Sequence, residues 1–135
     1  MKITKKTLCA MRSIIYIGKE SDKSLEPDKF FSIREIARCQ KISVSYLEQV
    51  LNKLKKAKII VAKRGPNGGY RLFKEASKIT LLEVVELFEK NYKIANCEKP
   101  GATCTGLCTA AKPIWDDLNE SIHFFLKNKT IRDYI

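Results

Sequence analysis

Apolar residues recur at helical spacing in five separate stretches, and between the third and the fourth the pattern changes to β-branched residues interrupted by glycines. The first stretch follows Thr4, whose hydroxyl suits an N-cap, and its Leu8, Met11, Ile14, Ile15 and Ile17 predict a helix to about Lys19. Polar and turn-forming residues from Glu20 to Phe31 read as a loop. Ser32-Ile-Arg-Glu35 has the spacing of a capping box: the serine accepts from a free first-turn amide and the glutamate reaches back to the serine's own amide. A short helix is expected from there to about Cys39. Ser43 offers the next cap, and Val44, Leu47, Val50, Leu51 and Leu54 carry a helix through Lys56.

Two short helices joined by a tight turn are a helix-turn-helix candidate, although this turn lacks the glycine common in that motif. The apolar stripe of the second helix leaves Ser45, Tyr46, Gln49, Asn52 and Lys53 outward, where such side chains meet phosphates or base edges. A solvated polar face is the plain alternative. Arg34 at the head of the first helix and Ser43 at the cap of the second complete the candidate DNA-facing set of this motif. Lys58 to Arg64 is strand-like, Gly65-Pro-Asn-Gly-Gly69 is dense in turn residues, and Tyr70 to Phe73 returns as a partner strand. This hairpin adds Arg64, Gly65, Pro66, Asn67, Gly68, Gly69, Tyr70 and Arg71 to the candidate DNA-binding residues. Arginine can enter a minor groove, and glycine lets backbone lie close to a phosphate chain. Helix, turn, helix and basic hairpin in succession predict a winged helix, a mainly α fold with a small β-hairpin wing.

Thr80-Leu-Leu-Glu83 repeats the capping-box spacing ahead of Val84, Val85, Leu87 and Phe88. After a Gly/Thr/Pro-rich segment, Pro113 suits the first turn of a last helix with a wide apolar stripe of Ile114, Trp115, Leu118, Ile122, Phe125 and Leu126. That stripe can cap its own core or pair with a second copy, and a mixture of the two is expected. The chain thus divides into a winged helix-turn-helix unit at 1–80 and a cysteine-bearing segment with dimerisation helices at 81–135. A homodimer would set two reading helices roughly 34 Å apart on a palindromic double-stranded DNA site.

Charge strengthens this reading. Lys and Arg number 26 against 15 Asp and Glu, a formal net charge of +11 over 135 residues, and no acidic residue lies between Gln49 and Lys74. Such a balance favours polyanionic partners. No apolar run approaches the roughly 20 residues that span a bilayer, and no charged-then-apolar leader opens the sequence, so no membrane partner and a cytoplasmic location are expected.

Cys97, Cys104 and Cys108 lie close together, with six and three residues between them, while Cys9 and Cys39 stand apart. An odd count of five argues against an extracellular disulfide framework. Structural zinc sites usually carry paired Cys-x-x-Cys knuckles and a fourth donor, and neither is present. Iron–sulfur clusters take thiolates and tolerate an unusual fourth ligand. A thiol/disulfide switch remains open, with Lys99 and Lys112 near enough in sequence to favour thiolates, as does a set of unligated cysteines. The single histidine, His123, sits on the apolar last helix and reads as a core or interface residue. No paired carboxylates or activated nucleophile suggest an enzyme.

Met1-Lys-Ile-Thr, Ser32-Ile-Arg-Glu-Ile-Ala37, Ile42-Ser-Val-Ser-Tyr-Leu-Glu-Gln-Val-Leu51, Arg64-Gly-Pro-Asn-Gly-Gly-Tyr-Arg-Leu72 and Ile79-Thr-Leu-Leu-Glu-Val-Val85 together resemble the winged-helix regulators that include IscR, NsrR and CymR. The resemblance spans nearly the whole chain. It implies a homodimeric transcription regulator with Ser45, Tyr46 and Gln49 on the recognition helix and Arg64 to Tyr70 as the wing. It also implies a 2Fe-2S or 4Fe-4S cluster on Cys97, Cys104 and Cys108. The chain departs from that pattern at Ala111, where IscR-like members place a histidine ligand, and at Leu8, where NsrR-like members draw a ligand from the partner's first helix. Cys9 is the neighbouring candidate for a fourth ligand, although one residue turns a helical side chain by about 100°.

The expected function is therefore a DNA-binding transcription repressor that senses iron–sulfur status, redox state or nitric oxide through a cluster. The alternatives are a DNA-binding regulator controlled by thiol oxidation or a protein partner, and a small iron–sulfur carrier or scaffold.

Overall fold

A computed structural model of the chain describes residues 2–94 and 106–135, with backbone only for 106–109. Among the described residues there are five α-helices and one two-stranded antiparallel sheet. Helix α1 (Lys5–Lys23) starts at Thr4, whose Oγ1 accepts from the Thr7 amide at 3.4 Å. It runs one turn past the expected end, because Glu20 to Lys23 break the apolar period without breaking the helix. Lys23 stays within reach of Glu20 at 3.6 Å, and the Ser24 amide closes the last turn on the Glu20 and Ser21 carbonyls.

Helix α2 (Ile33–Gln40) has both halves of the expected capping box, each at 3.2 Å between Ser32 and Glu35. It ends at Lys41 in the left-handed region, φ 54°. A lysine thus fills the place where a glycine would adopt this conformation more easily. Helix α3 (Val44–Lys56) begins at Ser43, whose Oγ accepts from the Tyr46 amide. Strands β1 (Ile60–Lys63) and β2 (Gly69–Leu72) pair from Ile60↔Leu72 to Lys63↔Gly69. Helix α4 (Leu81–Phe88) is capped by Thr80, but the capping box is only half made: Glu83 pairs with Lys74 and so fastens α4 to the end of the hairpin. Helix α5 (Gly106–Asn128) begins before the position expected for it, so Pro113 lies inside the helix and Cys108 is on its backbone.

The core packs Ile14 and Ile17 of α1 against Ile36 of α2, Leu47, Leu51 and Leu54 of α3, and Ile59 and Ile60 at the start of the wing. Leu81, Val84 and Ile131 belong to the same core, so it crosses the 80/81 division. The Leu81 amide donates to the Lys129 carbonyl and the Ile131 amide to Ile79, returning the end of α5 to the head of α4.

Two contacts fix the relation between elements. Phe31, just before α2, exchanges both backbone hydrogen bonds with Tyr70, at 2.9 and 2.8 Å, which ties the helix-turn-helix to the wing. Only glycine fits beside that bridge: Gly69 has φ +149°, and a Cβ there would stand 2.1 Å from the Phe31 carbonyl oxygen. At the opposite end, Glu89 is 8 % exposed, and its Oε1 accepts from the Thr7 hydroxyl at 2.6 Å and from the Thr4 amide and hydroxyl at 2.8 Å. The Thr7 hydroxyl first, then the Thr4 amide, holds the Glu89 carboxyl below the usual glutamate value against the opposing effect of burial. Its charge also suits the N-terminus of α1.

Two outcomes follow from these contacts. Gly69→Ala should lower unfolding stability by roughly 2 kcal/mol or more, through an ill-suited φ and a backbone collision, as read by urea denaturation. Glu89→Gln should cost about 1.5–3 kcal/mol at neutral pH, the range for hydrogen bonds to a charged group. Because the folded carboxyl titrates lower than the unfolded one, this contribution is complete above about pH 4.3 and fades as pH falls through the folded value. The wild-type and variant stability curves should therefore converge in acid.

Candidate nucleic-acid interface

The geometry of α3 follows from its burial. Leu47, Val50, Leu51 and Leu54 face the core, and at about 100° per residue the opposite face carries Ser45, Gln49, Asn52 and Lys56, all exposed. Between α2, α3 and the hairpin runs a groove lined by Arg34, Asn52, Lys55, Lys63, Arg64 and Tyr70. Glu48 is the acid among its described lining residues. Through Asn52 the groove meets the outward face of α3 and continues along the basic flank of the wing.

The candidate residues separate into distinct roles. Arg34, Ser45, Gln49, Asn52, Arg64, Pro66 and Asn67 are exposed on this side or at the wing tip. Ser43 is exposed too, with its oxygen already accepting the Tyr46 amide. Tyr46 is half-buried against the core and supports α3 from the side. The Lys53 ammonium lies 5.2 Å from the centre of the Phe88 ring, which draws it toward α4 and away from the outward face. Lys55, which lines the groove, and Lys56, on the outward face, lie beyond the expected set. The signal was available, since extending the helical period from Ser45 and Gln49 reaches Lys56 directly.

In the wing, glycine serves the hairpin before any ligand. Gly65 (φ +107°) opens a turn over Pro66 and Asn67 that closes with the Gly68 amide on the Gly65 carbonyl at 2.9 Å. A Cβ on Gly68 would stand 2.2 Å from the Lys63 carbonyl oxygen, and Gly69 is needed for the Phe31 bridge. Around Gly65 there is open space, which leaves it free to approach a partner. Tyr70 is half-buried, and burial first, then nearby Glu48, pushes its phenol above the usual tyrosine value. Arg71 already has partners within the chain. Its guanidinium is held by Asp28 at 2.9 Å and lies 5.1 Å from the centre of the Phe30 ring, so it serves the loop before α2 instead of projecting from the wing tip.

Cys97 and Cys104 fall outside the described residues, and Cys108 is described by its backbone only. Cys9 is 4 % exposed within the core, and burial pushes its thiol up, which disfavours the thiolate a cluster would need. Exposed Leu8 takes the outward position instead, and Cys9 packs in the core. His123 is a partly buried interior residue, as expected, with Nδ1 2.6 Å from the Tyr92 hydroxyl and its ring stacked on that tyrosine. Among the described residues, no group of three His, Cys, Asp or Glu side chains is arranged to hold a metal ion. Exposed Cys39 faces Tyr16, whose phenol is pushed up to about 12 by burial and then by Cys39.

The family described as Rrf2, iron-dependent transcriptional regulator, matches residues 3–135. The HTH-type transcriptional regulator IscR of Vibrio vulnificus is 34 % identical over 131 residues, covering 97 % of this chain and 75 % of that protein. IscR of Klebsiella pneumoniae is 30 % identical over 135 residues, covering all of this chain and 80 % of that one. Among solved structures, CymR, the global cysteine regulator of B. subtilis, superposes with a TM-score of 0.82 at 23 % identity, over 99 % of this chain and 95 % of that one, a likeness of fold. The oxidized form of Staphylococcus aureus CymR gives a TM-score of 0.74 at 27 % identity, over 97 % and 93 % of the two chains. The relatives are named as transcription regulators and not as enzymes, and no helix among the described residues is long and apolar enough to cross a membrane. With five helices, an antiparallel wing and a sequence match running nearly end to end, the chain belongs to the Rrf2 family of winged-helix transcription regulators.

Proposed function

We propose that this regulator binds double-stranded DNA as a symmetric homodimer, reads a palindromic operator with α3 and the wing, and represses transcription by occupying it. The observation that carries the reading is the groove where α3, Arg34 and the basic edge of the wing converge beside an outward face of Ser45, Gln49 and Asn52. Gln49 and Asn52 suit base edges, and Arg34, Lys55, Lys56 and Arg64 suit phosphates. The division at 80/81 is one of role, with DNA reading before it and sensing and pairing after it.

Dimerisation rests on α5. Ile114 is 60 % exposed and Phe125 48 %, with Trp115 and Leu118 also open, so the apolar stripe finds only part of its cover within one chain. A second copy of the same stripe is the natural complement.

For sensing, the family's iron dependence and the IscR relatives support an iron–sulfur cluster, 2Fe-2S or 4Fe-4S, held by Cys97, Cys104 and Cys108. Three thiolates fit such a group, which when bound supplies a centre responsive to iron, oxidants or nitric oxide. The chain's own residues connect that segment to the rest of the fold. Tyr92 bonds His123, the Ile94 amide donates to Asn119 Oδ1 at 2.8 Å, and Glu89 clasps α1, so the approach to Cys97 is fastened to α5 and to the core. A signal changes DNA affinity only as far as it stabilises one arrangement of these elements over another. Position 111 is alanine, Cys9 is buried in the core and His123 Nδ1 is engaged with Tyr92, so none of these three is a ready fourth donor. That observation favours a second reading, in which the same thiols act by reversible oxidation or through a protein partner.

Anaerobic reconstitution followed by visible absorption distinguishes the two. Cluster absorbance should develop in the wild type and be largely lost in Cys97→Ala; absorbance retained by that variant would refute the ligand assignment. For DNA recognition, Gln49→Ala should cost about 1–3 kcal/mol of discrimination at the base pair it reads, while Arg64→Ala should weaken all sequences similarly and lower the salt slope by about one per site. Ile114→Glu should convert the dimer to a folded monomer in sedimentation experiments, because Ile114 contributes little to the single-chain core.

A further inference from the structure

The loop between α1 and α2 lies against the hairpin. Alternation along the strands sends Tyr70 and Leu72 toward the core and sets Val61, Lys63 and Arg71 on the opposite face. On that outer face Phe30 meets two cations, with Arg71 at 5.1 Å and Lys63 Nζ at 5.7 Å from its ring centre. Arg71 also bonds Asp28 Oδ1 at 2.9 Å, and its Nε is buried. Asp28 has φ 59°, a left-handed conformation that Asp and Asn adopt more readily than most residues. The turn thus aims a carboxylate at the outer face of β2. A two-stranded hairpin is marginal by itself, and here it is held by the core on one side and by Asp28 and Phe30 on the other.

We infer that Arg71 is a positioning residue for DNA binding: with Asp28 and Phe30 it clamps the outer face of the wing and fixes where the wing tip meets DNA, without touching DNA itself. The inference rests on the DNA-binding reading and goes beyond it, because it gives an acidic residue of the α1–α2 loop a favourable role in binding a polyanion. An isolated exposed ion pair would have little effect, but this one is part of a network in which Phe30 also contacts both Arg71 and Lys63.

Asp28→Asn is the decisive substitution, since asparagine keeps the left-handed preference and removes only the charge. The probes are a duplex enriched by the wild-type protein from a random pool and an unselected duplex of equal length. Asp28→Asn should weaken binding to the enriched duplex by about fivefold while leaving the unselected duplex and the thermal midpoint nearly unchanged. Arg71→Met should behave alike with an unaltered salt slope, and Phe30→Leu combined with it should add less than the sum of the two. If Arg71 instead neutralises a phosphate, Asp28→Asn tightens binding and Arg71→Met lowers the slope by about 0.9 for each phosphate left unneutralised, which overturns the inference. Failure of the wild type to enrich any duplex would remove the DNA-binding reading and this inference with it; enrichment with an Asp28→Asn gain removes the inference only.

Discussion

The double hydrogen bond between Phe31 and Tyr70 makes the helix-turn-helix and the wing a single body. It depends on an absence: no side chain at position 69 can occupy the space next to the Phe31 carbonyl. Because Phe31 immediately precedes the Ser32 cap, the bridge sets the starting direction of α2, and the tight turn at Lys41 passes that direction to α3. The outward face of α3 and the basic edge of the wing can then line one groove. Without the bridge, the wing would keep its core packing but lose its direct backbone link to the start of α2.

The far side of the molecule has a different fastening. Glu89, the residue that ends α4, gathers three donors from the first turn of α1, so the chain leaves the winged domain at a fixed point. Tyr92 and Ile94 then attach the following residues to α5 before the cysteine-bearing segment begins. Since α1 packs against α2, α3, α4 and β2, a disturbance near Glu89 has a short packed route to α3. Such a route is physical contiguity; coupling through it requires two arrangements whose balance a signal can alter.

The legible parts of the site were those carried by local rules. Ser32, Ser43 and Thr80 each cap a helix, and the period of Leu47, Val50, Leu51 and Leu54 identified the face of α3 that points away from the core. Local rules leave the outcome open where a side chain has a choice of partner. Glu83 has capping-box spacing yet pairs with Lys74, Lys53 shares the basic run yet leans on Phe88, and Arg71 flanks the wing sequence yet belongs to Asp28 and Phe30. Charge and spacing identify what a side chain can do, and several partners satisfy the same chemistry.

Sequence by itself determined the order of elements, their caps, the basic character of the α3–wing region and the set of available thiols, because these depend on neighbours within a few residues. Tertiary structure decided the rest. It turned Cys9 into the core while leaving Leu8 open, carried α5 back past Pro113 to Gly106, and used Gly68 and Gly69 to let backbone pass backbone. It also left the α5 stripe largely uncovered in a single chain. Those outcomes turn on which surfaces meet across long sequence separations, and helical or strand periodicity specifies a face without specifying what covers it.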